Sequence, residues 1–208
     1  MVLNPGNRHR GGAARVLAVI LIGLLLPLGA GCQQHYGRLT VVSYRDPGRP
    51  TTYYQSFPDA WFSQLPSGDY QILLASSEPI NSLDRDVLEQ TMFIRVFWTP
   101  IPGKTFAESS QINAGIDYRI RVADPADAPV VSQRPKTMIC YKGSGFVSFS
   151  PDPSGRGLKA TLEHAVLRPA EESDEPALGR LIVKGQFRAR KAEGQIADYR
   201  IRAAEACD

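Results

Sequence analysis

The stretch QINAGIDYRIRV, Gln111–Val122, decides the fold class. Ile112, Ala114, Ile116, Tyr118, Ile120 and Val122 are apolar or nearly so, and they alternate with Gln111, Asn113, Asp117, Arg119 and Arg121. Successive side chains of a strand point to opposite faces, so a period of two predicts one face in a core and one in water. The pattern recurs on both sides of this stretch, at Arg38–Arg45, Thr51–Phe57, Asp69–Ser76, Thr91–Trp98, Thr137–Lys142, Gly145–Ser150, Leu158–Arg168, Arg180–Arg190 and Ile196–Ala203. Thr91–Trp98 is apolar on both faces with only Arg95 charged, which reads as a central strand. Clusters rich in Pro and Gly punctuate the runs at Asp46–Pro50, Leu65–Asp69, Thr99–Lys104, Asp124–Pro135 and Ser150–Gly157. Helix is expected only at Ser82–Gln90, with Ser82 as cap, and as a single turn at Asp59–Gln64. Residues 38–208 are therefore expected to form an all-β domain, a single antiparallel β-sandwich or barrel of about 8 to 10 short strands.

The C-terminal pair of runs reads as a hairpin. A loop of Ala192, Glu193 and Gly194 places Gly194 where a left-handed residue is needed, with Phe187 opposite Tyr199 and Arg188 opposite Asp198. On that register Lys184, Arg188, Arg190, Arg200 and Arg202 share a polar face with Gln186 and Asp198, five cations against one anion. Such a face suits anionic headgroups or an acidic envelope polymer, or is simply solvated. The pentapeptide DYRIR occurs twice, at Asp117–Arg121 and Asp198–Arg202, which reads as two strands under the same alternation rather than as a duplication.

The N-terminus carries a different signal. Arg8, Arg10 and Arg15 precede a 13-residue apolar run, Val16–Leu28, with no acid among them. A bilayer crossing needs about 20 apolar residues, so the run has the length of a secretory signal rather than of a span. Gly29, Ala30 and Gly31 then lead directly to Cys32. The segment LGAGC resembles the lipobox of bacterial lipoproteins, with Leu28 one place further back than is usual in that family. An ordinary cleaved signal and an uncleaved anchor helix are the alternatives.

The resemblance covers the first 32 residues only. It implies a signal peptide over residues 1–31, diacylglyceryl attachment and acylation at Cys32, and a tether over residues 32–37 that reaches about 18 Å. In that family an Asp after the cysteine retains the protein at the inner membrane. Gln33 stands there instead, which implies the outer membrane, facing the periplasm. Export permits disulfides, and Cys140 and Cys207 are the only other cysteines. Their pairing would contribute up to about 4 kcal/mol in the chain-entropy model; two separate thiols are the alternative.

The whole chain has 208 residues with 24 Lys plus Arg against 21 Asp plus Glu. Removing residues 1–31 takes away three arginines and no acid, leaving 21 of each sign. A neutral exported domain is not expected to bind nucleic acid.

Motifs for chemistry are sparse. His35 and His164 are the histidines beyond the signal region, and no set of metal-ligand spacings is visible, so neither a metal nor a cofactor is expected. His164 lies between Leu162 and Val166 and reads as a structural histidine. The PGKT of Pro102–Thr105 lacks the first glycine of a phosphate loop, and the acidic run Glu171, Glu172, Asp174 and Glu175 lacks the alternation of a calcium loop. Aromatic residues concentrate at Tyr53, Tyr54, Phe57, Trp61 and Phe62, where Tyr53, Tyr54 and Trp61 are candidate contacts for a sugar or a protein and the group as a whole reads as a core edge. No catalytic residue is nominated. The expected role is non-enzymatic binding or scaffolding beside a membrane; the alternative is an envelope hydrolase or carbohydrate-binding protein whose carboxylates converge in a cleft.

Overall fold

β6 (Ala114–Ala123) bears out the alternation that predicts it. Ala114, Ile116, Tyr118, Ile120 and Val122 are buried and the residues between them are half-exposed. The computed structural model describes residues 36–80, 83, 85–98, 112–123, 136–171, 173 and 177–204. Within them lie β1 (Tyr36–Tyr44), β2 (Thr51–Phe57), β3 (Asp59–Gln64), β4 (Tyr70–Ser76), β5 (Asp86–Val96), β7 (Lys136–Pro151), β8 (Gly157–Pro169), β9 (Arg180–Lys191) and one helix, α1 (Glu193–Ala204). The fold is all-β.

Seven strands close a barrel. From β3 to β9 each strand pairs antiparallel with the next in sequence, and β3 then pairs with β9. An antiparallel meander with an odd number of strands must close on one parallel pair. That pair is β3 with β9, through Trp61–Arg190 and Phe62–Lys191. The seam is short because β1 occupies the rest of the same β9 edge, antiparallel from Tyr36–Arg188 to Tyr44–Arg180, with β2 paired outside it. Leu39, Ile72, Ile94, Tyr118, Val147, Leu162, Val183 and Phe187 belong to the interior.

A bulge reshapes β8. Leu158, Ala160 and Leu162 face inward before it and Ala165 and Leu167 after it, because Glu163 and His164 together oppose Lys184. The expected period through Leu162, His164 and Val166 is broken there, and His164 is exposed. Neighbouring glycines make room. A Cβ on Gly185, whose φ is +153°, would stand 2.2 Å from the Arg38 carbonyl, and one on Gly145 would stand 2.4 Å from the His164 carbonyl. Gly143 and Ser144, which separate the two expected strands Thr137–Lys142 and Gly145–Ser150, instead lie inside the single 16-residue β7.

Three further expectations are corrected. Asp59–Gln64 is a strand rather than a helical turn, since it pairs with β4 along its whole length and buries Ala60 and Phe62. The expected helix at Ser82–Gln90 gives way to β5, which begins at Asp86; Ser82 itself lies outside the described residues. Most consequentially, Ile196–Ala203 is not a strand. The chain turns after Lys191 into α1, and Phe187 faces Gly37 and Ala160 rather than Tyr199.

The helix packs on the outside of the barrel. Ile196 and Tyr199, one turn apart, cover Leu73 of β4 and the partly buried Trp61 of β3 and Phe93 of β5. Tyr199 stacks on Phe93 at 5.8 Å between centroids. This second layer accounts for part of the outer face of Thr91–Trp98, where Thr91 and Phe93 meet Tyr199 of α1; further along, Phe97 is 49% exposed.

Candidate functional site

β9 buries Leu181, Val183, Phe187 and Ala189 and so turns Lys184, Gln186, Arg188 and Arg190 outward. Its neighbours add to that face. Lys159 of β8 stands opposite Arg188, which on the other side faces Tyr36 of β1. One row along, Gln186 lies between Thr161 and Arg38. A further row places Lys184 beside Thr40, which pairs with Tyr54 on β2. Tyr36 and Tyr54 are 37% and 81% exposed. The Arg38 guanidinium sits 5.4 Å from the Tyr36 ring and that of Arg190 5.9 Å from the Trp61 ring.

Five cations, Arg38, Lys159, Lys184, Arg188 and Arg190, thus share one outer sector with two exposed tyrosines. None of the five forms an ion pair among the described residues. Glu163 is the acid beside Lys184 and accepts a hydrogen bond from Ser148 Oγ at 2.9 Å. In the nearby β7–β8 turn, hydrogen bonds from Ser154 hold the Asp152 carboxyl below its usual pKa.

The remaining candidates from the sequence are dispersed. Of the expected basic face, Lys184, Arg188 and Arg190 stay together, whereas Arg200 is exposed on α1 and Arg202 is on the same helix with its side chain outside the described residues. Sequence reasoning missed Arg38, Lys159 and Tyr36. Each alternates with buried residues of its own strand, but which strands flank β9 is not written in that alternation. The aromatic group also divides: Tyr53, Phe57 and Phe62 join the core, Tyr54 faces out, and Trp61 lies under α1. Cys140 is buried on β7, its backbone bonded to Ser173 Oγ and to the Ala170 amide. Cys207 lies outside the described residues, as do Cys32, His35, Pro102–Thr105 and three of the four acids of the 171–175 run. There is no disulfide among the described residues.

Inside the barrel a polar chain crosses the core. Tyr118 donates to Gln90 Oε1 at 2.7 Å, and Gln90 Nε2 donates to Gln55 Oε1 and to the Glu78 carbonyl. Burial first, then Tyr53 and Tyr141, pushes the Tyr118 phenol well above its ordinary pKa. The Tyr141 hydroxyl accepts the Leu178 amide proton at 2.9 Å, and Ser43 donates to the Leu178 carbonyl. The first set of bonds joins β2, β5 and β6 to the segment after β4, and the second joins β1 and β7 to the segment before β9. Among the described residues no Asp or Glu is buried, and no three His, Cys, Asp or Glu side chains gather as a metal site.

A seven-stranded barrel with a basic, tyrosine-bearing outer sector is the class of structure these observations define. Comparison with protein-family models, with curated proteins and with solved structures gives no significant match.

Proposed function

We propose that the chain is a lipid-anchored lipoprotein of the bacterial cell envelope, outer membrane rather than inner, whose barrel binds or scaffolds another envelope component and catalyses nothing. The observation that carries this reading is the order of the N-terminal signals: basic residues, the apolar run Val16–Leu28, three small residues, Cys32, and then a β-domain whose first strand, β1, begins at Tyr36. Four residue steps separate Cys32 from β1, a reach of about 14 Å. A barrel on so short a leash works at the membrane surface. Two or more acyl chains are needed for stable anchoring, since each buried methylene contributes about 0.8 kcal/mol, and the modified cysteine would supply them.

The test is metabolic labelling of expressing cells with an alkyne fatty acid. Incorporation into the wild-type chain, and its loss in Cys32→Ser, is the expected outcome. Equal labelling of the variant, or none in either chain, would overturn the assignment.

A further inference from the structure

We propose that the outer face of β8, β9 and β1 docks on an anionic phospholipid bilayer, with headgroup phosphates against Arg38, Lys159, Lys184, Arg188 and Arg190. The proposal rests on the anchored reading above and names the surface the barrel turns towards the membrane.

Three observations carry it. Residues 32–208 hold equal numbers of acidic and basic side chains, so five cations in one sector are a segregation and not a by-product of a basic domain. Along β9 the sector spans about 20 Å, and across three strands about 10 Å. Secondly, Lys159 and Arg188 stand directly opposite each other on paired strands. Like charges in that relation destabilise a sheet, and phosphate between them turns the repulsion into two attractions. Thirdly, β1 begins within the patch: Tyr36 is in register with Arg188, in the row that Lys159 also occupies, and it follows Cys32 by four residues in the sequence. The exposed Tyr36 and Tyr54 rings on this face suit the headgroup layer, where tyrosine is enriched.

The full chain, as purified from expressing cells, is mixed with vesicles of phosphatidylcholine alone or of phosphatidylcholine with phosphatidylglycerol. Flotation reads anchoring, and acetylation of lysines by a water-soluble ester reads docking. The expected result is flotation with both vesicles, and labelling of Lys159 and Lys184 that falls at least about five-fold on the anionic vesicles alone, the factor a single juxtamembrane cation supplies. Lys136, exposed at the far end of β7, stays unchanged. Salt at 1 M, where the Debye length is about 3 Å, restores labelling without releasing the protein, and so does the double variant R38E/R188E. Flotation with both vesicles but equal lysine labelling overturns the docking and leaves the anchor standing. Flotation and protection with anionic vesicles only support the docking and remove the anchor, and flotation with neither removes both. Protection by dextran sulfate where anionic vesicles give none assigns the face to an acidic polymer and overturns the bilayer.

Discussion

Asn113 is polar in a pattern that assigns it to water, yet it is fully buried, while its neighbour Ile112 is 56% exposed. Its side chain donates to the Val147 and Trp98 carbonyls at 2.8 and 3.2 Å and accepts the Val147 amide at 2.8 Å, and its backbone bonds Phe97 and Gly145. One residue thereby fastens the entry of β6 to β7 and to the end of β5. In Asn113→Ala the Val147 amide loses its bond in a buried site, at a cost of about 3 kcal/mol. Thermal unfolding should shift down by roughly 6 to 12 °C; a shift under about 1 °C would show that the clamp contributes nothing to stability. Tyr118 sets an alkaline limit. Its folded pKa is raised, so the folded state keeps a proton that the unfolded chain releases above about pH 10. Stability from this group is intact below that pH and falls as pH rises above it. Denaturant titrations should show that alkaline loss, and Tyr118→Phe should flatten the slope.

At the scale of elements, the pentapeptide DYRIR is a strand at Asp117–Arg121 and part of α1 at Asp198–Arg202. In β6 the period of two places Tyr118 and Ile120 inside. In α1 a spacing of three places Ile196 and Tyr199 against the barrel and leaves Ile201 64% exposed. The sequence around the second copy, with Glu193 in the first turn and Ala197, Ala203 and Ala204 along it, favours helix, and that signal competes with the alternation. Alternation therefore made the half-exposed strands legible. It could not separate a strand from a helix when the apolar residues fit both periods, nor foresee that the bulge in β8 exchanges its faces. Tyr199→Ala should uncover Phe93 and Leu73 and speed amide exchange across residues 193–204 while β6 keeps its protection. Unchanged exchange in α1 would mean that this contact does not hold the helix.

For the molecule as a whole, part of the basic face was legible and part was not. Lys184, Arg188 and Arg190 alternate with buried residues of a single strand, so their common face follows from β9 alone. Arg38 and Lys159 belong to the face only because the barrel closes β9 between β1 and β8, a pairing across more than a hundred residues in one case and about thirty in the other. The charge surplus of the full chain sits in the N-terminal arginines, and the remaining charges are balanced but unevenly placed. On the proposed reading the N-terminus sets the protein's address and the start of β1 sets the orientation of the domain, and both proposals rest on Cys32. Mass spectrometry of the N-terminal peptide of the membrane-recovered protein tests this most directly. A lipoprotein yields a peptide beginning at Cys32 and carrying a diacylglyceryl group with a further acyl chain; an unmodified N-terminus, or one beginning at any other residue, would contradict it.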